Sequence, residues 1–271
     1  MSVLDNIVAN KVLEVTERKR VQPLELLEQA IAQQAPPRSL TQSLRHPQKS
    51  GIIAEFKRKS PSKGEIHPGA SVQEITAGYV AAGASGLSVL TDTVYFGGSE
   101  KDLREARAIN DIPILRKDFM VDPYQVVEAR AMGADVILLI AACLEKEALR
   151  SLAALAHSLG MEVLMEVHTR EELDHWNEHV DMIGVNNRNL KTMHVDVQTS
   201  FDLYEAIPSE VLAISESGID DPALVVSLRQ LGYQGFLMGE FFMKQPVPAL
   251  ACAEFTKEMN RLDDLLKNAI A

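Results

Sequence analysis

The chain has 271 residues, of which 46% are hydrophobic and 24% are charged, a composition that can bury a sizeable core and excludes a disordered or collagen-like chain. Its formal net charge of −11 and its isoelectric point near 5.2 would repel nucleic acids and anionic membranes over most of the surface, so neither is expected as a partner. The two cysteines, Cys143 and Cys252, have no paired spacing and no nearby histidine cluster, which argues against both a disulfide framework and a metal site.

The N-terminal residues give no sign of export. Residues Met1 to Asn6 lack the basic segment and the unbroken apolar core of a signal peptide. No later stretch approaches the roughly 18 apolar residues that a membrane span needs. We therefore expect a cytoplasmic protein.

Residues 1 to about 50 contain two helical patterns, Leu4 to Arg20 and Pro23 to Gln34, followed by Pro36-Pro37. We interpret this segment as a helical extension that covers the bottom or the flank of the fold that follows. No linker separates it from the rest, so residues 1–271 are predicted to form one domain.

Short apolar runs bounded by turn residues recur from residue 52 onward. Such runs are typical of strands buried on both faces, as in a parallel sheet, and their spacing fits one strand, one helix and two loops per unit. The eight runs are Ile52–Ala54, Leu87–Leu90, Ile112–Leu115, Val136–Ile140, Val163–Met165, Met182–Val185, Val211–Ile214 and Phe236–Met238. Because no glycine-rich dinucleotide fingerprint follows the first run, the pattern favours a closed (β/α)8 barrel (TIM barrel) over an open doubly wound sheet.

The segments between the runs carry helix start and stop signals. The expected capping boxes are Ser71-Val72-Gln73-Glu74 and Thr169-Arg170-Glu171-Glu172, and the expected N-caps followed by proline are Asp122-Pro123 and Asp221-Pro222. Glycines expected in the left-handed conformation at helix ends are Gly83, Gly133, Gly160 and Gly232.

Polar residues follow five of the apolar runs, at the strand ends where barrels carry their active sites. These ends read Glu55-Phe56-Lys57, Arg116-Lys117-Asp118-Phe119, Glu166, Asn186-Asn187-Arg188-Asn189 and Ser215-Glu216-Ser217-Gly218. Residues two apart on a strand share a face, so Glu55 and Lys57 are expected to enter the barrel mouth together. The convergence of ionisable groups favours acid–base catalysis there. His168 could shuttle protons beside Glu166, but we favour a solvated loop histidine.

Glycines after the last two strands indicate a phosphate site. Gly218 and Gly239 stand where this fold commonly binds phosphate with backbone N–H groups, and Lys57 and Ser60 are expected opposite them. Lys57 and Ser60 belong to the cluster from Lys57 to Lys63, which places four cations in seven residues of an acidic chain. The sequence therefore predicts a small phosphorylated ligand.

These motifs together resemble the indole-3-glycerol-phosphate synthase family of tryptophan biosynthesis. The similarity begins with the long strand-1 segment Ile52 to Gly64 and runs in order through the barrel. It continues in residues 91–99, Leu115 to Phe119, Met165 to Val167, Gly184 to Leu190, Ser215 to Ile219 and Gly239-Glu240.

The resemblance implies ring closure, decarboxylation and dehydration of 1-(2-carboxyphenylamino)-1-deoxyribulose 5-phosphate by general acid–base catalysis, without a cofactor. It implies Lys117 as general acid, Glu166 as general base and Glu55 as an assisting carboxylate, with the assignment of each proton to a glutamate left open. The substrate-binding residues that it implies are Lys57, Ser60, Phe96, Phe119, Asn186, Arg188, Glu216 and Ser217, and the phosphate-binding residues are Gly218, Gly239 and Glu240. Partners left open are a second copy of the chain and other enzymes of tryptophan biosynthesis.

Two alternatives remain at this point. Another phosphate-binding barrel enzyme, such as a phosphosugar isomerase or a Schiff-base aldolase, would use the same fold, and borohydride trapping would reveal the lysine imine of an aldolase. A nucleic-acid or anion-binding module built on the basic segment is disfavoured by the net charge of −11.

Overall fold

The computed structural model describes residues 3–190 and 192–270. Eight parallel strands in this part of the chain close into a barrel in which each strand pairs with its neighbours in sequence and the first pairs with the last. The strands are β1 (Ile52–Phe56), β2 (Gly86–Leu90), β3 (Ile114–Lys117), β4 (Val136–Ile140), β5 (Glu162–Val167), β6 (Met182–Asn186), β7 (Leu212–Glu216) and β8 (Gly235–Met238). A two-residue antiparallel pair, Lys59–Ser60 with Gly64–Glu65, forms a small hairpin after β1. The predicted (β/α)8 barrel is confirmed.

All eight apolar runs contain barrel strands, with differences at their ends. Ile112 and Pro113 precede β3, since proline has no N–H to donate to the neighbouring strand, and the strand begins at Ile114. Five strands extend into their polar ends and include Glu55, Lys117, Glu166, Asn186 and Glu216. The small hairpin was not predicted, because two-residue strands carry no periodicity.

Helices surround the barrel and continue into both ends of the described chain. They are α1 (Val3–Val21), α2 (Leu24–Ile31), α3 (Leu40–Arg45), α4 (Val72–Ala81), α5 (Glu100–Ile109), α6 (Pro123–Met132), α7 (Lys146–Ser158), α8 (Gln198–Leu203), α9 (Pro222–Leu231), α10 (Glu240–Met243) and α11 (Pro248–Ile270). Short 3₁₀ helices span Ala141–Cys143, Glu171–His175 and Tyr204–Ala206. No helix in the described ranges is long and apolar enough to cross a membrane.

Three of the four predicted N-terminal caps are confirmed. The Ser71, Asp122 and Asp221 side chains accept hydrogen bonds from the N–H groups of Glu74, Tyr124 and Ala223. The four predicted stop glycines all have positive φ, from 78° to 128°.

The capping box predicted at Thr169 is wrong. A 3₁₀ helix follows β5 instead of an α-helix, and it starts one residue after Arg170, whose side chain makes no cap. The Glu172 carboxylate accepts the backbone N–H of His168 at 2.7 Å and so anchors the strand end rather than a helix.

The N-terminal extension covers more of the barrel than predicted. Helix α2 packs on the flank, where Leu27 meets Tyr124 and Val127 of α6, and α3 closes the bottom with Leu40 and Leu44. The prediction did not include a further contact, in which the first turns of α1 reach the C-terminal mouth at the opposite end of the barrel. The missing signal is that a helix of 19 residues is long enough, at about 1.5 Å per residue, to run along the whole flank.

The barrel interior is apolar up to the strand ends. Ile53, Leu115, Leu164 and Ile214 belong to one buried cluster inside the barrel. Because side chains alternate along a strand, the residue two positions further on each of these strands also faces inward, at the mouth. These four positions are the charged residues Glu55, Lys117, Glu166 and Glu216.

Candidate active site

The C-terminal mouth of the barrel encloses a cavity of about 690 Å³. All the residues predicted to be catalytic, substrate-binding or phosphate-binding line it: Glu55, Lys57, Ser60, Phe96, Lys117, Phe119, Glu166, Asn186, Arg188, Glu216, Ser217, Gly218, Gly239 and Glu240. The structure therefore brings together every predicted site residue, while their individual roles remain predictions.

Lys117, Glu166 and Glu216, which we call the mouth cluster, form the charged centre of the cavity. The Lys117 ammonium lies 2.5 Å from a Glu216 oxygen and 3.1 Å from a Glu166 oxygen. The Lys117 side chain is 13% exposed, whereas those of Glu166 and Glu216 are 3% and 1% exposed. A single ammonium thus faces two buried carboxylates at the bottom of an open cavity.

The pKa values of the mouth cluster are strongly perturbed. Burial opposes the charge on Lys117, but Glu216, Glu166 and Glu55 outweigh it and hold the pKa of Lys117 above its ordinary value. Burial also disfavours an ionised Glu166, but Lys117 overcomes this effect and lowers its pKa. For Glu216, burial and the charge of Glu166 prevail over Lys117 and raise the pKa to about 7. Near neutral pH the cluster therefore exchanges a proton on Glu216.

Glu55 and Lys57 form the predicted pair on β1, with 2.6 Å between the lysine nitrogen and a carboxylate oxygen. The other Glu55 oxygen accepts a hydrogen bond from the Ser88 hydroxyl at 3.3 Å. A methyl group at Gly239 would lie 2.5 Å from this carboxylate, so glycine there leaves the space that Glu55 occupies.

Gly184 likewise leaves space for the Glu216 carboxylate. A side chain at Gly184 would lie 2.2 Å from a Glu216 oxygen, although its backbone angles require no glycine. A lone glycine inside an apolar strand run indicates close approach of another group, and this signal was present in the sequence.

Asn186 ends β6 and Arg188 lies two residues beyond it, on the side of the cavity next to Glu166. The Asn186 amide donates to Glu166 at 3.0 Å, and its oxygen accepts the Arg188 backbone N–H at 3.0 Å. The Arg188 guanidinium lies 3.1 Å from one Glu240 oxygen, and Lys63 lies 3.8 Å from the other. The Glu240 carboxylate thus lies beside the predicted phosphate-binding loops at Gly218 and Gly239.

Those phosphate loops have unusual backbone angles. Ser217 and Gly218 have φ values of 67° and 73°, and consecutive left-handed residues make a tight turn directly after β7. A side chain at Gly218 would lie 2.5 Å from Val195, so only glycine fits on both grounds.

The basic segment after β1 does not act as one patch. The Arg58 guanidinium pairs with the Asp102 carboxylate at 2.7 Å and Lys59 donates to the Val94 carbonyl, so both point away from the cavity. Only Lys57 and Lys63 of the four cations line it. The segment contributes a local cationic wall rather than a surface for polyanions.

Phe96 and Phe119 form an apolar wall of the same cavity. Their ring centroids lie 6.0 Å apart at 39°, and Leu138 and Ile140 of β4 complete the lining nearby. The space between charged and apolar walls suits a ligand with an aromatic ring and anionic groups.

The prediction that His168 is a solvated loop histidine is wrong. Its side chain is 10% exposed and lies between two carboxylates, with Nε2 3.3 Å from Glu166 and Nδ1 3.3 Å from Glu172. The sequence hides this arrangement because Glu172 returns to His168 only through the unpredicted 3₁₀ turn.

Helix α1 adds residues that sequence reasoning missed. Val3, Leu4 and Ile7 line the cavity, and Lys11 is buried one turn below, 2.8 Å from Asp92 and 3.0 Å from Asp118. The signal was a lysine at the centre of the stripe Ile7, Lys11 and Val15, whose four-residue spacing marks one helix face.

Within residues 3–190 and 192–270, no group of three or more histidine, cysteine or acidic side chains is arranged to hold a metal ion. Both cysteines are free, as predicted, and burial raises their pKa values to about 12. The polar side-chain groups on the cavity wall are ammonium, guanidinium, carboxylate, amide and hydroxyl groups and the imidazole of His194.

Comparisons with known proteins agree with this geometry. The family model described as indole-3-glycerol phosphate synthase matches residues 4–255. A protein of that name from Bacteroides thetaiotaomicron is 50% identical over 255 residues, covering 94% of this chain and 98% of that protein. Its namesake from Burkholderia vietnamiensis is 44% identical over 256 residues, covering 93% and 97%.

Solved structures with much lower identity share the fold alone. Tryptophan synthase subunit alpha from Legionella pneumophila superposes with a TM-score of 0.59 at 12% identity, covering 83% of this chain and 98% of that chain. The 3-hexulose-6-phosphate synthase from Salmonella typhimurium gives 0.62 at 11% identity, covering 78% and 98%.

Proposed function

The chain belongs to the indole-3-glycerol phosphate synthase family, and we propose that its mouth cluster converts 1-(2-carboxyphenylamino)-1-deoxyribulose 5-phosphate to indole-3-glycerol phosphate, carbon dioxide and water. In this reaction the ring carbon that bears the carboxylate attacks the ketone, and the new alcohol forms as the ketone oxygen takes up a proton. Carbon dioxide then leaves, and loss of water completes the pyrrole ring.

The observation that carries the proposal is the position of Lys117. It is the ammonium group of β3 that faces the cavity between Glu166 and Glu216, and the aromatic pair Phe96 and Phe119 lines the same cavity. A ketone oxygen that develops negative charge next to Lys117 would receive a hydrogen bond and then the proton.

Glu216 sets the acidity of Lys117. While both neighbouring carboxylates are ionised, they hold the lysine proton tightly, which opposes transfer. Protonation of Glu216, whose pKa lies at about 7, removes one of these charges and makes Lys117 a better acid. The remaining Glu216 oxygen is buried beside Gly184 without a hydrogen-bond partner among the described residues, which further disfavours the ionised form of Glu216.

Glu166 is the general base in this scheme. Lys117 and Asn186 hold both of its oxygens in the ionised form at the edge of the cavity. Glu55, next to Lys57, is a further carboxylate within the mouth and assists proton removal during dehydration. The scheme needs no electron sink beyond the substrate's own nitrogen.

The two ends of the substrate match the two ends of the cavity. The anthranilate ring would pack against Phe96 and Phe119, and its carboxylate would lie near Lys57. The phosphate would bind the backbone after β7 and β8, at Gly218 and Gly239, with Arg188 beside it. Glu240 would contribute through its backbone, because its carboxylate repels phosphate.

One assay tests the function directly. The purified chain is incubated with the carboxyphenylamino-deoxyribulose phosphate, and the indole product is followed by fluorescence. We expect turnover that persists after exhaustive chelation with EDTA. Absence of product with a folded protein contradicts the proposal, and activity that EDTA abolishes and a divalent ion restores contradicts the cofactor-free scheme.

Some finer expectations remain proposals. A cytoplasmic location fits a chain without an apolar span in its described helices, and a single domain fits the core shared by α1, α3 and the barrel. A homodimer or a complex with other enzymes of tryptophan biosynthesis has no support beyond the family resemblance.

A further inference from the structure

His168 is a buried titratable residue that the proposed mechanism does not use. It is not among the residues that line the cavity, so it does not contact substrate. Its side chain nevertheless lies directly behind Glu166, with Nε2 3.3 Å from Oε1, the oxygen that also accepts the Asn186 amide.

The second ring nitrogen contacts another carboxylate. Nδ1 of His168 lies 3.3 Å from Oε2 of Glu172, and the same oxygen accepts the His168 backbone N–H at 2.7 Å. Glu172 therefore fixes both the main chain and the ring of His168. Nε2 meets Glu166 as an ion-pair contact without a hydrogen bond, and an imidazole attracts a carboxylate at each nitrogen only when both nitrogens carry protons.

We propose that His168 is a positioning residue for Glu166: its imidazolium, held by Glu172, keeps the Glu166 carboxylate ionised and directed at the mouth. This inference rests on the proposed role of Glu166 as general base. It explains how Glu166 stays charged although its side chain is 97% buried. Glu166 must also share the cation Lys117 with Glu216.

The surrounding charges agree with this assignment. Burial disfavours a charged ring, but Glu166 and Glu172 outweigh burial and raise the pKa of His168 to about 10. Cys143, the titratable residue of the 3₁₀ turn after β4, stays a neutral thiol because burial and the same two carboxylates raise its pKa to about 12. Lys117 is the other cation beside Glu166, and Asp5 of α1 acts on Cys143 from the far side.

The first test is the pH dependence of kcat/KM for the carboxyphenylamino-deoxyribulose phosphate. His168→Gln removes the charge, so Glu166 should take up a proton at higher pH and the acidic limb should move up by about 1 to 3 pH units. His168→Lys restores a cation and should bring the limb back toward the parent. At pH values above the acidic limb, KM should change by less than about twofold to threefold, because His168 does not line the cavity.

The matched control is His157→Gln. His157 also pairs with a carboxylate, Asp181, at 2.9 Å, but it belongs to α7 and lies outside the cavity lining. Its substitution should leave the limb in place. An unmoved limb in His168→Gln, or an equal movement in His157→Gln, overturns the inference.

A second measurement needs neither catalytic turnover nor a substituted protein that folds. In the parent protein, ¹⁵N NMR should show both nitrogens of the His168 ring protonated at pH 8, and a neutral ring at that pH overturns the inference. If the parent protein fails to turn over substrate while this ring is doubly protonated, the proposed function fails and the charge assignment of His168 stands.

Discussion

Three consecutive charged residues at the end of strand β3 and directly after it serve two different regions. Lys117 faces inward and belongs to the mouth cluster, whereas Arg116 and Asp118 face outward and lie beneath the helices. Arg116 pairs with Glu128 at 2.7 Å and Asp118 at 3.1 Å. We call Lys11, Asp92, Arg116, Asp118 and Glu128 the outer network.

The two regions differ in charge balance. In the outer network two cations meet three buried carboxylates, and Arg18 adds a third cation 3.1 Å from Glu128. The partly exposed Glu14 and Glu100 pair with Lys11 and Arg18 in addition. Although burial opposes it, Arg116 and Lys11 hold the pKa of Asp118 at about 2, so this shared carboxylate stays ionised at any physiological pH. The mouth cluster has one ammonium for two carboxylates, and its Glu216 changes protonation near pH 7. Balanced buried charge fixes structure, whereas unbalanced charge beside a cavity supports chemistry.

Lys117→Ala tests the catalytic side of this difference and should have the largest effect. Removal of a general acid should lower kcat by about 10²- to 10⁴-fold with a smaller change in KM. Steady-state kinetics measures both, and Lys117→Arg, which keeps the charge but gives up its proton reluctantly, should bind substrate yet remain slow. A folded Lys117→Ala protein with kcat within a few-fold of the parent would show that Lys117 is not the acid.

Asp118→Asn tests the structural side. It takes away the carboxylate that Arg116 and Lys11 share, and breaking a buried ion pair in this way costs about 3 to 5 kcal/mol of unfolding free energy. Urea denaturation measures the loss. Glu216→Gln is the matched control, because it neutralises an equally buried carboxylate of the mouth cluster and should cost far less. Equal losses would contradict the distinction between the two regions.

Glu216→Gln also has a pH signature. The folded pKa of Glu216 is raised from an ordinary value of 4.5 to about 7, so the folded state binds this proton more tightly than the unfolded state. Glu216 therefore lowers the free energy of unfolding progressively as pH rises from about 4.5 to 7. Urea curves across this window should show Glu216→Gln gaining stability relative to the parent as pH rises. A difference that stays constant with pH would place the proton elsewhere in the cluster.

Glu240→Gln should have the smallest effect. The Glu240 carboxylate lies beside the proposed phosphate loops and pairs with Arg188 at 3.1 Å. Its removal should free Arg188 and lower the inhibition constant of inorganic phosphate by about fivefold, since charges near 4 Å in a water-filled site interact by about 1 kcal/mol. Competitive inhibition assays measure this change. Weaker phosphate inhibition in the variant would mean that Glu240 supports the anion site rather than competing in it.

The amino-acid sequence determined the fold and the composition of the site. Buried parallel strands are nearly continuous apolar runs, so each strand was visible, and the residue after each run falls at the mouth because the fold places every strand end there. This is why Lys117, Glu166 and Glu216 could be assigned to one cavity from spacing alone. The caps at Ser71, Asp122 and Asp221 were equally visible because capping depends on neighbours within one turn.

Only the tertiary structure decided contacts between residues distant in sequence. Lys11 contacts Asp92, which is 81 residues away in sequence, and Asp118, which is 107 residues away. Helix α1 reaches the cavity because it runs along the flank of the barrel, and the sequence does not give the height of that barrel. His168 looked solvated because its partner Glu172 returns through a 3₁₀ turn that has no sequence signature. The proton on Glu216 depends on the distance to Lys117 and Glu166 and on exclusion of water. The pattern of apolar and polar residues along a strand indicates which face of the strand each side chain occupies. The balance between buried charges depends instead on distances between residues in the folded structure.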